Sequence, residues 1–83
     1  MENSEIEIAR IGVNPDGSSD LREPVFVTVS EFRGTKYLNI RKYFDDNGEW
    51  KPTKKGITLR SEQYEDLLAV LNSRNSDILK ALG

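Results

Sequence analysis

The sequence contains no cysteine and no histidine. The first absence excludes disulfides and thiolate metal sites. The second removes the commonest acid–base side chain and the usual partner of a Ser or Cys nucleophile, and with both gone ordinary zinc sites are excluded. Catalysis would have to rest on carboxylate, lysine or tyrosine chemistry. Neither a cluster of carboxylates nor a phosphate-cradling glycine loop is visible, so the expectation is a non-enzyme with no catalytic residues, no cofactor and no metal. Long apolar runs are missing too. The longest, Leu67–Leu71, has five residues, against roughly 18 for a bilayer span. No basic stretch followed by an apolar one opens the chain, so a soluble, intracellular protein with no membrane partner is expected.

What is present is one small domain of 83 residues. A lone chain of this size buries only about 60% of the surface that its unfolded form exposes, which makes self-association a natural source of stability. The formal charge is −2, but it is unevenly spread. Residues 1–32 hold two basic against seven acidic side chains (−5), residues 33–60 eight against three (+5), and residues 61–83 two against four (−2). A basic middle third sits inside an acidic protein.

Local patterns set out the elements. Glu5-Ile6-Glu7-Ile8 alternates as a half-buried strand does, and Asn14-Pro15-Asp16-Gly17 is a turn. Residues 1–22 are expected to form an acidic, partly flexible arm with one strand around residues 5–12, and residues 23–83 the domain proper. From Val25, β-branched alternation marks a strand, with Val25, Val27 and Val29 on one face and Phe26, Thr28, Ser30 and Phe32 on the other. A second strand is expected from Lys36 to Tyr43 or Phe44, after the Arg33-Gly34-Thr35 turn. Asn47-Gly48 is the strongest hairpin signal, because both residues accept the positive φ of a primed turn. A third strand over Glu49–Lys51 is limited by Pro52 or placed by it at an edge. Gly56 breaks the chain before a short fourth strand, Ile57–Leu59. The period then changes from two to 3.6: Tyr64, Leu67, Leu68 and Leu71 form one helical stripe, continued by Ile78, Leu79 and Leu82. Ser61 is the expected N-cap. One helix through the polar Asn72–Asn75 stretch is preferred to two.

The chemistry concentrates in residues 32–60, where aromatics and cations interleave: Phe32, Arg33, Lys36, Arg41, Phe44, Trp50, Lys51, Lys54 and Lys55. Rings on strands offer stacking surfaces for unpaired bases, worth about 1–3 kcal/mol each, while Lys and Arg follow the phosphates. Duplex bases are already stacked and cannot reach such rings. Tyr37 and Tyr43 read first as half-buried packing; Phe32, Phe44 and Trp50 suit either core or ligand. Lys54-Lys55 alone would be a solvated loop. Arg41 and Phe44, three positions apart, serve one surface only if the strand bulges, twists or ends between them.

These residues resemble the positive cofactor four family of transcriptional coactivators, a single-stranded-DNA-binding domain, over about residues 25–82. The resemblance is carried by Phe32-Arg33-Gly34, Ile40-Arg41 with Tyr43, Gly48-Glu49, and Lys51-Pro52 with Lys54-Lys55-Gly56-Ile57-Thr58-Leu59, and by Glu62-Gln63-Tyr64. It implies an α+β fold, ββββα, in which a curved four-stranded antiparallel sheet precedes a C-terminal helix, and a homodimer that presents DNA-binding channels. It implies Phe32, Arg33, Arg41, Phe44, Lys51, Lys54 and Lys55 as DNA contacts; Lys36 and Trp50 join them from the interleaved block. Phe44 stands where better-known members carry a stacking Trp, and Trp50 replaces a residue that is usually aliphatic. The Ser- and Lys-rich tail of eukaryotic members has no counterpart in residues 1–22, which points towards a bacterial or viral source.

The expected function is sequence-tolerant binding of single-stranded DNA or melted duplex, in transcription, replication, recombination or repair, at the DNA of the cell: cytoplasm or nucleoid in a bacterial or viral setting, nucleus in a eukaryotic one. Transcription or replication proteins are the expected protein partners. Two alternatives stay open: an adaptor that docks acidic proteins, and an RNA chaperone.

Overall fold

The computed structural model describes residues 5–83. Four strands, β1 (Glu5–Ile11), β2 (Val25–Phe32), β3 (Thr35–Asp46) and β4 (Glu49–Leu59), precede two helices, α1 (Ser61–Ser73) and α2 (Asn75–Leu82). The strands form one antiparallel sheet in the order β1-β2-β3-β4. Both tight hairpins use paired left-handed residues: Arg33 (φ 52°) with Gly34 (φ 80°), and Asn47 (φ 54°) with Gly48 (φ 91°). Such turns match the twist of the flanking strands. The second is fastened by Asp45, whose carboxylate accepts the Gly48 N–H at 2.8 Å.

The strand count agrees with expectation, but its make-up differs. The two short strands expected after the Asn47-Gly48 turn are one long strand, β4, and the strand expected near residues 5–12 completes the four. Pro52 is tolerated because β4 lies at the sheet edge and, among the described residues, pairs with β3 alone. Gly56 is not a break. A Cβ there would lie 2.7 Å from the Ile40 carbonyl oxygen, so glycine lets β4 close onto β3. Between Pro52, opposite Tyr43, and Gly56, opposite Arg41, three residues of β4 face the single Lys42. This bulge is pinned locally. The Thr53 hydroxyl donates to Lys42 O (2.8 Å) and accepts from the Lys55 N–H (3.1 Å), and Arg41 Nη1 donates to Thr53 O (3.1 Å).

The single helix preferred from the stripe is instead two, a correction located at Arg74. Its φ −112°, ψ 16° leaves the helical region within Asn72–Asn75, where Arg74 is flanked by the weak helix formers Asn72, Ser73 and Asn75, although Arg74 N–H still reaches Val70 O at 2.8 Å. The N-cap is Arg60 rather than Ser61, which is already helical; Gln63 Oε1 accepts the Arg60 N–H at 2.9 Å and satisfies one free donor.

The two sheet faces have different roles. On one, Phe26 (3% exposed), Thr28 and Tyr43 are buried, and Pro24 is fully buried nearby. On the other, Val27, Val29, Leu38 and Leu59 meet Tyr64 of α1 around an apolar groove of about 380 Å³. The helices cover that face incompletely: neither buries a residue, and Leu79 and Leu82 are 61% and 79% exposed.

Candidate nucleic-acid interface

The buried face is built around a ring pair. Phe26 and Tyr43 stack with centroids 4.1 Å apart and planes within 8°, and Trp50 lies against Phe26 at 5.9 Å and 58°. Such pairs add about 0.5–1.5 kcal/mol each beyond area burial and fix the ring orientations. Cross-strand partners point to the same face, so the register places Arg10 and Arg41 on either side of Phe26. The result is an aromatic floor with a guanidinium on each flank. A groove of about 560 Å³ opens above it between β1 and the β3–β4 turn, lined among others by Glu5, Arg10, Phe26, Tyr43 and Trp50. Burial and the Glu5 charge push the Tyr43 hydroxyl above its ordinary pKa, with Arg41 acting in the opposite sense.

Further along β2 the floor turns polar. Asn39 donates to Ser30 Oγ at 2.9 Å and accepts from the Thr58 hydroxyl at 3.2 Å, giving an uncharged ladder across three strands. Beyond it Phe32 is 53% exposed, with the Arg33 guanidinium 5.1 Å from its ring centroid. Arg33 holds a left-handed φ that costs a non-glycine residue about 1–2 kcal/mol. Phe26 and Phe32 lie six residues apart on one face, roughly 20 Å at strand spacing.

The nine residues singled out in the sequence do not all share this face. Phe32, Arg41 and Trp50 do. Lys36 pairs with Glu31, and Phe44 with Lys51, at positions that face the helix side. The irregularity between Arg41 and Tyr43 adds its extra residues to β4, so β3 keeps its alternation and Arg41 and Phe44 stay on opposite faces. Lys54 and Lys55 occupy the bulge, and Arg33 the turn. Lys51 is paired with Asp46 at 2.9 Å and Lys55 with Glu23 at 3.1 Å; among the described residues Lys54 has no ion pair.

Two parts of the surface were not singled out from the sequence. Phe26 was legible as a same-face neighbour of Thr28 and Phe32, and Tyr43 as packing. Arg10 carried no signal. It reaches the aromatic face only because the register slips between Glu7 and Ala9, which brings it beside Phe26, with its guanidinium 4.9 Å from the ring centroid.

Residues 19–70 match the sequence family Transcriptional Coactivator p15 (PC4). A putative RNA polymerase II transcriptional coactivator of Neurospora crassa is 39% identical over 69 residues, 81% of this chain and 40% of that protein. The RNA polymerase II transcriptional coactivator SUB1 of Saccharomyces cerevisiae is 44% identical over 55 residues, 64% of this chain and 19% of that one. Both relatives are fungal rather than bacterial or viral, and the chain spans well under half the length of either. The crystal structure of a MoSub1–ssDNA complex superimposes with a TM-score of 0.58 at 29% identity, covering 86% of this chain and 88% of the other. With this strand order, these turns and this matched stretch, the chain belongs to the Transcriptional Coactivator p15 (PC4) family.

Proposed function

We propose that this protein is a non-enzymatic binder of single-stranded DNA or melted duplex, with little sequence preference, that acts as a homodimer in support of transcription at nuclear DNA. The same activity would serve replication, recombination or repair wherever single strands are exposed. The observation that carries the reading is the β3–β4 hairpin. It joins the ring cluster containing Trp50 to a pinned bulge bearing Lys54 and Lys55, with Arg41 between them. Rings supply sequence-tolerant stacking and cations follow the phosphates. The MoSub1 complex supports the ligand class, and the coactivator names of the relatives support the setting. Phe32 and Arg33 continue the path at the far end of β2, while Lys36, Phe44 and Lys51 border it from the other face.

The exposed apolar surface supports the homodimer. Leu68, Leu71, Leu79 and Leu82 project from the helices, and Ile6 and Ile8 from β1, without cover in one chain. A second copy burying this surface would compensate for the small core. Trp50 is the sole tryptophan, so its fluorescence reports the site directly. Oligo-dT should quench it with an affinity that falls steeply with salt, and sizing should give two chains per particle both with and without bound oligonucleotide. Equal affinity for matched duplex would refute the single-strand preference. No retention of oligo-dT at low salt would favour the adaptor, and preference for oligo-U the RNA chaperone. A monomer under both conditions would remove the dimer.

A further inference from the structure

We propose that β1 extends the single-strand path, with Arg10 as a phosphate contact and Glu7 as the internal anion that Arg10 exchanges for the phosphate. The proposal rests on the single-strand reading above. It concerns a strand outside residues 19–70, the stretch matched to the family.

In an unbroken strand, residues three apart point to opposite faces. Glu7 and Arg10 do not, because Glu7 pairs with Thr28 while Ala9 pairs with Val27, leaving Ile8 as an extra residue. That bulge brings both side chains to the aromatic face, a re-aiming role for which bulges are known. There the guanidinium donates from Nε to Glu7 Oε2 at 2.8 Å and from Nη2 to Oε1 at 3.2 Å. Its Cζ lies over the Phe26 ring, 4.9 Å from the centroid, in the same ring cluster as Trp50. The fork is therefore oriented before any ligand arrives, and carboxylate and phosphate offer it the same two-oxygen geometry.

The pair is built to be exchanged rather than to hold the fold. Its side chains are 42% and 46% exposed, and ion pairs at such exposure contribute little and are screened by salt. A phosphate entering the groove replaces the carboxylate at the same donors, while Arg10 keeps its contact with Phe26. Glu7 thereby lowers affinity for any polyanion too weakly held to displace it. A single strand that also stacks on Trp50 gains enough elsewhere; a rigid duplex, with no free base to stack, does not.

The test is a double-mutant cycle on the full chain, with oligo-dT binding followed by Trp50 fluorescence at several salt concentrations. Arg10→Gln should weaken binding and lower the salt slope by about 0.7. That slope change alters the ratio of variant to wild-type affinity about 2.6-fold between about 50 and about 200 mM salt. Arg10→Lys should keep the slope and lose part of the affinity. Glu7→Gln should tighten oligo-dT and duplex binding, duplex the more, and its gain should vanish in the Arg10→Gln background. An equal gain from Glu7→Gln in both backgrounds would reduce Glu7 to a background charge and overturn the proposal. So would an Arg10→Gln variant indistinguishable from wild type. In either case wild-type quenching by oligo-dT would leave the single-strand reading standing; a wild type that binds no oligo-dT would remove both.

Discussion

Gly56→Ala tests the joint on which the basic bulge depends. An added Cβ would lie 2.7 Å from Ile40 O and 2.8 Å from both Cα and Cβ of Arg41. Two of these three atoms are backbone in the central strand β3, paired on both sides, so they cannot swing aside as a side-chain tip would. Restoring ordinary contact at about 3.4 Å requires β4 to lift by roughly 0.6–0.7 Å along this stretch. Overpacking of this kind costs about 1–3 kcal/mol. In a domain of this size each kcal/mol moves Tm by about 4–8 °C, so a mid-range cost of about 2 kcal/mol lowers Tm by roughly 8–16 °C. The lift also falls directly after the bulge and opposite Arg41, loosening the 3.1 Å bond from Arg41 to Thr53 O that helps set where Lys54 and Lys55 sit. Scanning calorimetry at matched protein concentration should therefore show the Tm loss, and oligo-dT affinity below the transition should fall as well. A variant within about 2 °C of wild type, with unchanged affinity, would show that the close approach constrains neither the fold nor the site.

Lys54→Ala with Lys55→Ala should lower the salt slope by about 1.4, if each lysine meets one phosphate, so that the affinity deficit changes about sevenfold between about 50 and about 200 mM salt. Of the single variants, Lys55→Ala should cost more, because it also leaves Glu23, now 3.1 Å from the ammonium, as an unopposed carboxylate beside the bulge. An unchanged slope in the double variant would remove the bulge from the path. Alkaline stability should depend on Tyr43. Its folded pKa is raised, chiefly by burial, above the ordinary value of 10.0. The folded state therefore keeps a proton that the unfolded state loses, and this contribution is present below about pH 10 and is lost as pH rises through the folded pKa. Thermal unfolding between about pH 8 and about pH 11 should show a steeper loss for wild type than for Tyr43→Phe; parallel curves would refute the assignment.

The sequence by itself determined whatever depends on neighbours along the chain. Asn47-Gly48 specified its hairpin because few other residue pairs accept two positive φ values. The alternation of residues 25–32 placed Phe26 and Phe32 on the face opposite the valines, and the 3.6 period of Tyr64–Leu71 announced the helix. The +5 block and its rings marked the proposed binding region, and the Lys51–Leu59 string carried the family resemblance.

Only the tertiary structure decided what depends on partners far along the chain. Pro52 and Gly56 read locally as interruptions, yet β4 runs through both, because an edge strand needs a ladder on one side only and a missing Cβ allows close approach. The polar stretch before Asn75 was compatible with a continuous helix or a broken one, and the backbone at Arg74 breaks it. Trp50 could have faced either way until pairing with Asp45 put it beside Phe26. Arg41 and Phe44 stayed apart because the bulge formed in β4 and not in β3. Arg10 joined the aromatic face through a one-residue slip against β2. Side-chain alternation is a local property and can be read from one strand; register is a relation between two strands, and a single extra residue in either reverses which face the rest of that strand presents.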